Sequence, residues 1–127
     1  MTTPFQQLFS FNKAVQQQWT QLGDTLAQDG FLSARLKEQV RRVLAQENGC
    51  AYCRAKGKPD IHNIDEKTAV CSAYAEAFLK SNGHISPNVT NVIKNHLTNQ
   101  ELSELIAFIC FTTASQYVGA IHQLQPQ

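Results

Sequence analysis

The chain has 127 residues, of which 43% are hydrophobic and 17% charged, and a formal charge of +1 at neutral pH. That is one domain's worth of sequence, able to bury roughly two thirds of its unfolded surface without a disulfide staple or a structural metal. No basic cluster exceeds Arg41–Arg42, which excludes a nucleic-acid interface built on a basic stripe; the longest unbroken apolar run falls short of a membrane span, and Met1-Thr2-Thr3-Pro4 lacks the basic-then-apolar pattern of a signal peptide.

Alternating β-branched runs are absent, and apolar residues recur at helical spacing. Residues 1–127 therefore read as a single all-α domain. The first helical region starts at Thr3-Pro4, a cap followed by proline at the first helical position. It carries Val15, Trp19, Leu22 and Leu26 on one stripe, and Gly30 ends it. Ser33 caps a second helix with Leu36, Val40, Val43 and Leu44 on one face. Asn48–Gly49 stops it, since both residues tolerate the left-handed conformation.

A short helical segment is expected over about 50–56, broken by Gly57-Lys58-Pro59-Asp60. Residues 65–82 read as a helix with Val70, Tyr74, Ala77 and Phe78 inward and Gly83 at its end. Ser86-Pro87 opens a short helix through Val89, Val92 and Ile93. Thr98-Asn99-Gln100-Glu101 is a capping box. The last helix carries Leu102, Leu105, Ile106, Ile109, Tyr117, Ile121 and Leu124, with Phe108, Cys110 and Phe111 adding apolar surface outside that stripe. A helix apolar over most of its girth is surrounded by protein, so part of its cover is expected from another subunit.

The chemistry centres on Cys50-Ala51-Tyr52-Cys53. Two cysteines separated by two residues reach bonding distance on one helical turn, which permits a dithiol/disulfide cycle and also suits a metal. Without an export signal, four cysteines indicate a reducing compartment, the cytoplasm, where such a pair is catalytic or metal-binding. Zinc would need two further ligands, and the nearest, His62 and Cys71, lack the short second spacing; no metal and no other cofactor is expected. Cys71 and Cys110 fall in helical apolar patterns and read as core. A helix start beside the pair contributes about 0.3–1 kcal/mol to a thiolate. At the upper figure a thiol pKa of about 8.5 falls to about 7.8, a modest gain that calls on Lys56, Arg54 or a nearby base. By spacing, Cys50 is the better placed nucleophile, being nearer the segment's start.

The stretch 35–53, Arg-Leu-Lys-Glu-Gln-Val-Arg-Arg-Val-Leu-Ala-Gln-Glu-Asn-Gly-Cys-Ala-Tyr-Cys, resembles the signature helix and Cys-x-x-Cys of the alkylhydroperoxidase-D-like/carboxymuconolactone decarboxylase family. Its Glu38–eleven residues–Cys50 spacing is the specific part; the Trp19 region, the helix at 64–79 and residues 97–105 extend the resemblance over nearly the whole chain. The resemblance implies an all-α helical bundle assembled as a homotrimer or homohexamer. It implies a Cys-x-x-Cys dithiol/disulfide cycle that reduces a small-molecule peroxide and is renewed by a thiol reductant or redox partner protein. Carried over by position, Cys53 is the attacking thiol, Cys50 the resolving thiol and Glu38 the relay carboxylate.

Two positions depart from the family pattern. The relay histidine four residues after the second cysteine is Gly57 here, and the residue before that cysteine, histidine in some members, is Tyr52. Weak peroxidase activity is the expectation, with Tyr52, His62 and Lys56 as candidates for a substitute relay or a supporting shell. Two other readings are a decarboxylase-like enzyme acting on a small cyclic acid and a non-catalytic oligomeric binding protein. Retention of both cysteines counts against the decarboxylase branch, which generally does without them.

Overall fold

The computed structural model describes residues 2–127, and the described residues contain seven helices and no strand. They are α1 (Pro4–Gln7), α2 (Lys13–Ala27), α3 (Ala34–Ala45), α4 (Ala51–Arg54), α5 (Glu66–Ser81), α6 (Pro87–His96) and α7 (Asn99–Ile121). The all-α reading holds.

Local capping explains most boundaries. The side chains of Asn12, Ser33, Asp65, Ser86 and Thr98 each accept from a backbone N–H near the start of the helix they precede, filling a donor that no intrahelical carbonyl can reach. Thr98 and Glu101 form the expected capping box, and Thr3 and Gln6 form a second one. Asn82, at φ 53°, and Gly83, at φ 86°, close α5 in the left-handed region.

The first helical region is two helices, because Asn12 opens a new cap after the turn that follows α1. Phe9 stacks on Trp19 at 5.1 Å, and Trp19 lies 5.1 Å from Phe111 of α7. Helix α2 ends at Ala27, before Gly30. Gly30 is needed for another reason: a Cβ there would stand 2.6 Å from the Glu104 carboxylate. That carboxylate accepts from the backbone N–H groups of Phe31 and Leu32, at 3.1 and 3.0 Å, and pairs with the buried Lys37 ammonium at 2.8 Å. Lys37 also donates to Gln28 O at 2.8 Å. A lysine only 1% exposed is thus satisfied from two sides.

Helix α3 lies at the centre and packs most extensively on α5 and α7. Leu36, Val40, Val43 and Leu44 enter one core with Cys71, Tyr74, Ile93, Leu105, Phe108 and Ile109. On α7 the buried line is Leu105, Phe108, Ile109, Thr112, Gln116 and Gly119. Phe108 therefore belongs to the core, whereas Ile106, Tyr117 and Ile121 of the expected stripe are exposed. Polar Thr112 and Gln116 and small Gly119 carry the buried face over the last turns, which an apolar stripe cannot reveal. Although its unbroken apolar runs are short, α7 is long and apolar enough to cross a membrane. Here it packs against α2, α3, α4 and α6.

Candidate redox site

The chain turns sharply between α3 and α4. Gly49 sits at φ 79°, a conformation that a side chain disfavours. Asn48 is buried and donates to Gln116 Oε1 of α7 at 2.8 Å, while Gln116 Nε2 donates to Arg41 O at 3.2 Å. This polar clamp delivers Cys50 to the N-cap of α4. The sulfurs of Cys50 and Cys53 lie at bonding distance, with their Cα atoms 5.2 Å apart. The Cys53 N–H donates to Cys50 Sγ at 3.2 Å. Ala45 completes a small core around the pair, with Tyr52 and Ala120 packed against it. The C-terminal segment crosses behind, where Tyr52 N–H donates to Leu124 O at 3.3 Å.

The two cysteines are not equivalent. Cys50 is 1% exposed and faces α7, whereas Cys53 is 8% exposed and lines a pocket of about 300 Å³. Its lining includes apolar Phe5, Leu26, Phe108 and Phe111, and, with Cys53, the polar Glu38, Arg41, Tyr52 and Lys56.

Glu38 and Arg41 lie one turn apart on α3 and meet side by side. Arg41 donates to both Glu38 carboxylate oxygens, at 2.6 and 3.0 Å, and Arg42 donates to one of them at 2.9 Å. Burial pushes the Glu38 pKa up, but the hydrogen bonds and charges of Arg41 and Arg42 prevail and hold it below the usual carboxylate value. Arg41 also donates to Cys53 O at 3.0 Å, which ties α4 to α3. The Lys56 ammonium stands over the Tyr52 ring, 4.7 Å from its centroid. Partial burial of that ammonium and the charge of Arg41 lower its pKa, with Glu38 opposing them.

Of the residues singled out in the sequence, Cys50, Cys53, Glu38, Tyr52 and Lys56 are brought together here. His62 is not: it lies on the exposed loop after α4, its N–H donates to Asp60 Oδ1 at 3.0 Å, and it does not line the pocket. The short helix is shorter than expected, ending at Arg54, and Gly57 at φ 129° is outside it. Cys71 is buried in the core as expected, and burial raises its thiol pKa to about 12. Cys110 is exposed, which corrects its reading as a core residue: it lies on the outward side of α7. Among the described residues, no three His, Cys, Asp or Glu side chains gather as metal ligands.

Three residues of the site were not singled out in the sequence. Arg41, noted only as part of a small basic pair, shares its helix face with Glu38 and could have been found by that spacing. Gln116 and Gly119 reach the site from the other end of the chain, and no local pattern points to them. Compared with known proteins, the chain matches no family model and no curated sequence.

The arrangement sets one sulfur of a bondable pair in a pocket with Glu38, Arg41 and Lys56. Arg41 and Lys56 line the same pocket as Cys53, and Arg41 reaches the Cys53 carbonyl. Glu38, doubly paired and held low, is a charged acceptor at neutral pH and a poor store for a proton.

Proposed function

We propose that this protein is a thiol–disulfide oxidoreductase of the alkylhydroperoxidase-D-like type, reducing peroxides slowly through Cys50 and Cys53. The observation that carries the reading is the bondable pair with unequal burial: one sulfur faces a pocket, and the other lies behind it. Access supports Cys53 as the attacking thiol, against the spacing argument for Cys50. A four-residue helix has little dipole to offer, and a nucleophile must first be reached.

In this reading the Cys53 thiolate attacks the terminal oxygen of a hydroperoxide. The O–O bond breaks, Cys53 becomes a sulfenic acid, and the departing alkoxide takes a proton and leaves as alcohol. The Cys50 thiolate then attacks the sulfenic sulfur, forming the disulfide while the hydroxyl takes a proton and leaves as water. Two electrons from a small dithiol or a redox partner protein restore the thiols. Glu38 orients Arg41, and Arg41, through the Cys53 carbonyl, holds α4 in place. Neither Glu38, locked by two arginines, nor His62, which lies elsewhere, stands in for the relay histidine, which leaves Tyr52 and Lys56 as the candidates in the pocket. With the histidine itself absent, the rate is expected to be low.

The exposed apolar residues Ile106, Tyr117 and Ile121 on α7, with Val15 and Leu22 on α2, fit an assembly of subunits; the family resemblance makes it a trimer or hexamer. A cytoplasmic setting suits a pair that must be re-reduced.

The test is peroxide consumption with dithiothreitol as reductant. Wild type is expected to turn over measurably, Cys53→Ser to be inactive, and Cys50→Ser, given peroxide after the reductant is removed, to stop with a trappable sulfenic acid at Cys53. Cys53→Ser consuming peroxide at the wild-type rate would overturn the proposal.

A further inference from the structure

Gly119 is buried within α7, in ordinary helical backbone, where glycine is a poorer helix former than alanine. Its conformation does not require glycine, but its surroundings do. A Cβ built there would collide with Cys50 Sγ, stand 3.4 Å from Cys50 Cβ and touch Cys53 Sγ at 3.6 Å. The Cys50 sulfur also accepts the Cys53 N–H at 3.2 Å. It is thus held in a slot with Gly119 on one side and the first turn of α4 on the other. Neither neighbour is free to yield: Gln116, one turn earlier on α7, is hydrogen-bonded to both Asn48 and Arg41 O.

We propose that Gly119 is a positioning residue of the redox pair, whose missing side chain makes the room in which Cys50 Sγ bonds to Cys53. This rests on the redox reading above. The crowding falls on one atom in one state. In the disulfide, Cys50 Sγ is pinned by its bond to Cys53 and cannot move away. In the dithiol, rotation about the Cys50 Cα–Cβ bond carries the sulfur out of the slot. A methyl group at 119 therefore penalises the disulfide more than the dithiol, and the pair becomes a stronger oxidant.

The experiment is a redox titration of purified protein against dithiothreitol, with the fraction of bridged pair read by thiol trapping and mass analysis. Gly119→Ala is expected to lower the equilibrium constant for disulfide formation at least tenfold, which is about 30 mV in a two-electron couple. The reduced protein should be as stable as wild type or more so, because alanine is the better helix former. A general packing defect would instead destabilise both redox states equally and leave the midpoint in place. A double-mutant cycle covers the case in which Gly119→Ala folds poorly: in a Cys50→Ala background the clashing atom is gone, and Gly119→Ala should cost nothing.

A midpoint within twofold of wild type overturns the role of Gly119, as does an equal penalty with and without the Cys50 sulfur. A wild-type chain that never forms the 50–53 bridge overturns the redox reading and this proposal together. The two failures are distinguishable, because one shows in the variant alone and the other in the wild type.

Discussion

The guanidinium of Arg41 joins Glu38 to the backbone of Cys53, donating to the carboxylate at 2.6 and 3.0 Å and to the Cys53 carbonyl at 3.0 Å. One side chain of α3 thereby sets both the charge beside the pocket and the anchorage of α4. Arg41→Ala removes both. Loss of a neighbouring cation raises a thiol pKa by about one unit, so alkylation of reduced Cys53 at pH 7 should slow roughly three- to tenfold. Arg41→Lys keeps the charge but not the fork that reaches two acceptors, and should fall between. Unchanged iodoacetamide kinetics in Arg41→Ala would show that the guanidinium does not act on the thiolate.

The same cluster predicts a pH dependence of stability. The folded-state pKa of Glu38 lies below its ordinary value of 4.5. A depressed carboxylate contributes stability that is fully present above the unfolded pKa and is lost as pH falls through the folded one. Melting temperature should therefore drop from about pH 4.5 downward, and Glu38→Gln should flatten part of that slope. The side chain is 40% exposed, so solvent screening keeps the contribution to about 1 kcal/mol or less. An acid limb of the same steepness in both proteins would contradict this.

The buried Lys37–Glu104 pair should matter more. Lys37→Met leaves Glu104 with its two backbone donors but without its cation, in a partly buried site 18% exposed. Removing one member of a buried pair typically costs about 3–5 kcal/mol, and urea denaturation should register a loss near the lower end. The double change Lys37→Met/Glu104→Gln should recover part of it, because no unpaired charge remains. A cost below 1 kcal/mol for the single variant would mean that water solvates the carboxylate freely.

Gly57→His restores the histidine of the family pattern by sequence but not by geometry. On a continuing helix, residue 57 would lie one turn from Cys53 on the same face. The backbone there is at φ 129° instead, and a Cβ would meet the Arg42 guanidinium at 3.5 Å. A side chain in this region strains the backbone by about 1–3 kcal/mol. The expected result is a lower melting temperature and no gain in peroxide turnover. A clear rate increase would show that the loop can be drawn into helix.

Cys71 and Cys110 should part company under alkylation of the native protein. Cys110 is exposed on α7 and should react within minutes, whereas Cys71 is buried, its thiol pKa raised to about 12, and should react only after unfolding. Mild oxidation should leave both outside the 50–53 bridge. Protection of Cys110 at micromolar concentration, lost on dilution, would locate the subunit contact on the outer face of α7.

Helix starts and stops were legible in the sequence because they are local. Ser33, Asp65, Ser86 and Thr98 act on donors within three residues, and Gly49 and Gly83 act through their own backbone angles. The Cys50–Cys53 pair was legible for the same reason, since two intervening residues in a helical turn suffice to bring the sulfurs together. Tertiary structure alone decided what surrounds them. Asn48 and Gln116 are 68 residues apart in sequence, and nothing near either one announces the contact. That docking of α7 buries Cys50, turns Cys53 to the pocket and gives Gly119 its neighbour. It also exposes Cys110, which the apolar pattern had placed inside. Periodicity shows that a helix has an apolar face. Which residues of that face are covered depends on the helices that arrive, and for α7 three of them, α2, α3 and α4, come from the first half of the chain.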